Sequence, residues 1–203
     1  MTIKISKTLN LPTFIRLPVF LCGLAVASNS VYARQLDDVE LADNVTLSGT
    51  DVSLQLNGMG YRTKFVFDVY VGALYTQSKV STRDEAQALA GPKRIVMHMV
   101  YDEVSREKMA DAWNEGFAEN NTEEQLKKLQ SRLAEFISYF PDLKMNDVVL
   151  LDYLPASGTR LTVNGKQITV IEGADFYSAL LDVWLGDEPA DEDLKEAMLG
   201  ADD

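Results

Sequence analysis

The sequence predicts an α+β domain, a large antiparallel sheet with helices packed on one face. Three observations predict it. An alternating segment at 52–57 and segments rich in β-branched and aromatic residues at 65–75, 94–101 and within 148–171 read as strands. Capping boxes and apolar stripes at helical spacing mark helices between and after them. The resulting order, β-β-α-β-α-α-β-β-β-α-α, lacks regular βαβ alternation, which disfavours a doubly wound parallel sheet.

Residues 34–44 (RQLDDVELADN) are polar and acidic and read as a loosely held lead-in. Val52 to Asn57 alternates apolar and polar side chains, the period of a strand, and Gly58 and Gly60 punctuate its end. Phe65 to Tyr75 reads as one long strand. Strict alternation puts Phe65, Phe67, Val69, Val71, Ala73 and Tyr75 on one face and Lys64, Val66, Asp68, Tyr70, Gly72 and Leu74 on the other. Both faces are partly apolar, so each should be covered. Thr82-x-x-Glu85 is a capping box that starts a short helix to about Leu89. Arg94 to Tyr101 is a third strand. Ser105 caps a helix through Ala118, with Met109, Trp113 and Phe117 on one face. Thr122-x-x-Gln125 opens another, whose stripe runs Leu126, Leu129, Leu133, Phe136, Ile137 and Phe140 before Pro141 stops it. Val148 to Leu154 is a strand, and Asn164-Gly165 joins two more, 159–163 and 167–171, as a hairpin. Gly173 opens a helix carrying Phe176, Ala179, Leu180, Val183 and Trp184, and Gly186 ends it. Asp191 caps a last helix holding Leu194 and Met198.

The N-terminal segment is expected to lie outside the fold. Lys4, Lys7 and Arg16 precede an apolar run, Leu17 to Ala27, and small residues follow at Val31-Tyr32-Ala33. This is the anatomy of a secretory signal peptide, residues 1–33, cleaved after Ala33 to release a periplasmic or secreted protein. The apolar run is too short to span a bilayer core of about 30 Å, so no membrane span is expected after cleavage. Leu21 before Cys22 does not suit a lipoprotein signal. The remainder, 34–203, is expected to form one domain with short acidic ends. The chain's one cysteine, Cys22, lies in the leader, so disulfides, thiol catalysis and Cys-metal sites are excluded from the remainder. With 19 basic against 31 acidic residues the chain has a net charge of −12, which excludes a phosphate-backbone surface and so nucleic-acid binding.

Few residues carry chemistry. His98, the single histidine, lies on a strand between Met97 and Met99 and reads either as a satisfied strand residue or as a base, with no second ligand at metal spacing. No G-x-S-x-G elbow or dinucleotide fingerprint is present. Arg62, in Gly58-Met59-Gly60-Tyr61-Arg62, can project its planar fork between sheet and helices, which suits a carboxylate or phenolate. It can equally be a surface residue or a partner of Asp68. Tyr70 could donate to the same anion, with Gly72 leaving room beside it. Tyr75, on the opposite face, is a further candidate.

The segment GMGYRTKFVFDVYVGALY resembles the paired strands of the chalcone isomerase-like superfamily, with its G-x-G-x-R and V-Y-x-x-x-L-Y. FYSALLDVWLGDEPADEDLKEAMLG resembles the closing helices of its exported bacterial members. The resemblance runs from about Leu47 to Gly200. It implies an open-faced β-sandwich, a large antiparallel sheet under a helical layer with a cleft between. It also implies one of two activities. One is the plant isomerase, an intramolecular lyase that closes a chalcone's phenolate onto its enone. The other is noncatalytic fatty-acid binding, in which an Arg and a Tyr hold the carboxylate. The family's anion-binding Arg falls on Arg62, and the polar residue of the next strand, a Thr in the isomerase, falls on Tyr70. The isomerase's Tyr falls near Ser105 and its helical Asn near Ala112, so two of the enzyme's polar groups are missing. The expectation is a binder of a small amphipathic anion through Arg62, Tyr70, Tyr75 and Ser105, with no cofactor and no metal. An isomerase and a ligand-free structural module are the alternatives.

Overall fold

A computed structural model describes residues 33–201; the expected signal peptide lies outside them, apart from Ala33. The elements in chain order are β1 (Ala33–Leu36), β2 (Val39–Ala42), β3 (Asn44–Thr46), β4 (Ser53–Lys64), β5 (Phe67–Thr76), α1 (Arg83–Ala88), β6 (Lys93–Met99), β7 (Glu103–Val104), α2 (Arg106–Asn120), α3 (Glu123–Ser138), β8 (Leu143–Lys144), β9 (Val148–Leu154), β10 (Gly158–Val163), β11 (Lys166–Ile171), α4 (Ala174–Leu185) and α5 (Glu192–Met198). Seven strands make one antiparallel sheet in the order β11-β10-β9-β6-β5-β4-β3. The expected antiparallel sheet with helices on one face is what forms. No helix of the described residues is long and apolar enough to cross a membrane.

The helices begin where the side chains say they should. The hydroxyls of Thr82, Ser105 and Thr122 accept from backbone N–H groups three residues on, satisfying donors the first turn leaves free. At Thr122 the reciprocal bond from Gln125 completes the capping box. At Thr82 it does not form. Glu85 instead accepts from Ser81. Asn164 and Gly165 both take positive φ, 49° and 75°, and turn β10 into β11. α4 is apolar on nearly every side because it lies in the middle of the helical layer, and nine of its twelve residues are buried. Arg83 grips the buried Asp182 with two 2.8 Å bonds and so ties α1 to α4.

Two apolar clusters lie on opposite faces of the sheet. The larger fills the space beneath the helices and includes Leu74, Met97, Trp113, Phe136, Leu180 and Trp184. The smaller includes Leu54, Leu56, Val71, Ala73 and Tyr75, and Val39 covers part of it. The segment read as a loose lead-in is therefore a hairpin, β1–β2, that shields the second face. Its turn is made by Asp37 at a φ of 47°.

Two bulges correct the expected strand pattern. In β4, Leu56 pairs with Tyr75 and Gly58 with Leu74, so Asn57 is the extra residue. Its buried amide donates to Val80 O and Met198 O and accepts from Val80 N–H. In β5, Arg62 pairs with Tyr70 and Thr63 with Asp68, so Val69 is extra. The bulge turns Phe67 and Val69 to the helical side with Tyr70, while Val71, Ala73 and Tyr75 keep the other face. The single strand expected from Phe65 is also interrupted, because Phe65 and Val66 form the β4–β5 turn. Gly58 and Gly60 do not end a strand. They lie inside β4, where α5 packs so closely that a Cβ on Gly58 would stand 1.9 Å from Ala197 O.

Candidate functional site

β5 and β6 on one side and α2 and α4 on the other flank a half-open cavity of about 570 Å³. That is inside the range of small-molecule sites, about 300–1,000 Å³. Val69, Met97, Met109, Trp113, Val183 and Trp184 give it an apolar wall. Gly116 of α2 lets Val183 approach, since a Cβ there would be 2.8 Å from Val183 Cγ1. Acids of α2 (Asp111, Glu115 and Glu119) and the bases Lys64 and Lys108 also contribute to the lining.

Arg62 and Tyr70 face each other across β4 and β5 and both line this cavity. Asp191 fixes the end of the strand beside them. Its carboxylate accepts from Thr63 N–H at 2.8 Å and from Leu194 N–H at 3.0 Å, so one side chain caps α5 and holds β4. Asp68, the acid that could have neutralised Arg62, accepts instead from the Thr63 hydroxyl at 2.7 Å. Among the described residues no carboxylate pairs with Arg62, whose guanidinium makes one long bond, 3.4 Å, to Thr63 O. A half-buried cation with most of its donors unused by the protein is open to an anionic partner.

Tyr70 is the second donor. Burial pushes its hydroxyl up to about 12, against the pull of the Arg62 cation and of the bond from Trp184. It therefore stays protonated through the physiological range. Trp184 Nε1 donates to Tyr70 Oη at 2.9 Å, which fixes the phenol and leaves its own O–H to donate. Trp184 was legible only as an apolar helix residue. The signal for its role is general: a buried indole N–H needs an acceptor. The Trp113 ring meets Trp184 edge-on at 5.6 Å, and its own N–H is buried without a partner.

The other two expected site residues are not brought here. Tyr75 faces the opposite side of the sheet, where its hydroxyl donates to Ala42 O at 2.8 Å. Burial pushes it up to about 12 as well. Ser105 caps α2 and does not line the cavity. His98 shares a cross-strand row with Val71 and Val148, on the face away from the cavity. Among the described residues no cluster of three His, Cys, Asp or Glu side chains could hold a metal ion.

A seven-stranded antiparallel sheet with a helical layer on one face and a cavity between them is an open-faced β-sandwich. Residues 33–200 match the model of the family described as chalcone isomerase-like, and the chain belongs to that family. A solved structure similar to it is a fatty-acid-binding protein of Arabidopsis thaliana, with 18% identity and a TM-score of 0.55, over 77% of this chain and 95% of that one. At that identity the likeness is one of fold. No curated protein matches the chain in sequence.

Proposed function

We propose that this protein is a noncatalytic binder of a fatty acid or similar amphipathic carboxylate, exported to the periplasm or beyond and freed of its leader after Ala33. The observation that carries the reading is the Arg62 guanidinium, without an acidic partner, beside the free O–H of Tyr70 in a cavity with one apolar wall. The carboxylate accepts from both, and the chain lies against Val69, Met97, Met109 and Trp184. Each buried methylene contributes about 0.8 kcal/mol. The solved plant protein of the same fold, described as fatty-acid binding, supports the reading. The cavity weighs against a filled, ligand-free module. Isomerase chemistry on a chalcone-like phenolate would use the same Arg62, but Ser105 is occupied by α2 and Ala112 brings no polar group to the lining.

Calorimetry with palmitate and its methyl ester tests this. Hydrogen bonds to a charged group contribute about 1.5–3 kcal/mol, so Arg62→Ala should weaken palmitate about 10- to 150-fold. The ester should bind wild type and variant alike. Equal palmitate affinity in the two proteins, or none in the wild type, refutes the assignment.

A further inference from the structure

The β4–β5 hairpin ends in Phe65, Val66 and Phe67, which are 91%, 82% and 55% exposed. Phe65 and Val66 stand in water at the loop tip with no role in the core, and Phe67, half exposed, meets the Tyr101 ring edge-on at 5.7 Å. The backbone makes the choice of residue more pointed. Lys64 pairs with Phe67, so Phe65-Val66 is a two-residue turn, and Phe65 holds a φ of 61°. That is a left-handed position which glycine or asparagine fills at far less cost than a bulky aromatic. The fold thus tolerates strain to present a phenyl ring outward.

The tip stands at the cavity, since Phe65 and Phe67 contribute to its lining along with Lys64 and Arg62. The hairpin carries two bases, Arg62 and Lys64, and one acid, Asp68, so in a chain with a net charge of −12 it is itself net basic by one charge, while Lys108 and the acids Glu103, Asp111, Glu115 and Glu119 line the cavity beside it. A narrow, convex apolar point with basic residues just behind it suits a lipid surface, where Phe and Val side chains enter the acyl boundary and Lys stays at the headgroups.

We propose that the Phe65–Phe67 tip docks on a lipid bilayer and so brings the mouth of the cavity to the membrane. A ligand passing between the bilayer and the cavity rests on the proposed binding of an amphipathic carboxylate; the docking itself does not. The full chain is mixed with vesicles of phosphatidylethanolamine and phosphatidylglycerol, three to one, brominated on the acyl chains. No fatty acid is added. A tryptophan is placed at the tip by Val66→Trp, and at the exposed β9–β10 turn, at the opposite end of the sheet, by Ala156→Trp. The buried Trp113 and Trp184 give the same background in both and in the parent chain. The expected result is a blue shift on vesicle addition and quenching of Val66→Trp at least twice that of Ala156→Trp or the parent. Val66→Trp unshifted and unquenched, as for a tip that fits a protein partner instead, overturns the proposal. So does equal quenching at both positions, which means unspecific adsorption. Palmitate affinity, measured without vesicles, stands or falls separately.

Discussion

Replacing Gly58 by alanine tests how α5 is seated on the sheet. The new methyl carbon would stand 1.9 Å from Ala197 O, and the next nearest atoms, at 3.0 and 3.1 Å, are also backbone. No rotamer relieves that contact, so either α5 shifts or β4 bends. Leu194 and Met198, both fully buried, anchor α5. Full detachment would forfeit about 1.5–3 kcal/mol for each, about 3–6 kcal/mol together, and a smaller adjustment costs about 1–3 kcal/mol as overpacking. The bond from Asn57 to Met198 O is strained in either case. A loss of about 3–5 kcal/mol is expected, a large part of the 5–15 kcal/mol typical of a domain. Gly60 provides the contrast. Its Cβ would meet Ala197 Cβ at 2.7 Å, a side-chain atom that can be removed. Ala197→Gly, costing about 1 kcal/mol as a helix glycine, should therefore rescue Gly60→Ala and leave Gly58→Ala unrescued. Urea unfolding of the three single and two double variants measures all of this. If Ala197→Gly rescues both equally, or Gly58→Ala lies within 1 kcal/mol of wild type, the packing argument is wrong.

Two further outcomes follow from buried charges. Asp152 is held by Arg94 at 2.6 and 3.0 Å and by Arg160 at 2.7 and 3.2 Å, on the sheet face away from the cavity. Asp152→Asn strands two guanidiniums and should cost about 3–5 kcal/mol in urea unfolding, with palmitate affinity of the folded variant unchanged; a loss below 1 kcal/mol would contradict it. Lys93 is buried, donates to Leu89 O and lies 5.1 Å from the Tyr153 ring centre, and burial lowers its ammonium to about 8. The folded chain therefore releases this proton near pH 8, whereas the unfolded chain keeps it to about 10.5. Stability should rise with pH from about 8 to 9.5, by up to about 1.4 kcal/mol per pH unit, relative to Lys93→Met. A wild-type curve parallel to that of Lys93→Met would rule it out.

Local signals carried the helices and most strands. Thr82, Ser105 and Thr122 cap where their spacing says, and Asn164-Gly165 turns where its chemistry says, because each depends on residues within four positions. Arg62 and Tyr70 were legible as a pair because they sit only eight residues apart on consecutive strands, and the resemblance to a family reinforced them. What failed was long-range. The hairpin at 33–42 has too few apolar residues to announce itself, and only the exposed face of the sheet gives it something to cover.

Composition and spacing alone settled that this chain would build an antiparallel sheet beneath helices, since local backbone preference and side-chain period act within a few residues. The tertiary structure decided which way the strands present their side chains. A bulge at Val69 exists only because β5 pairs out of step with β4, and that one extra residue sends Phe67 and Val69 to the cavity beside Tyr70, whereas the separation of Tyr70 from Tyr75 follows from alternation alone. In that register Asp68 stands opposite Thr63 and accepts from its hydroxyl, and no bond from Arg62 reaches it.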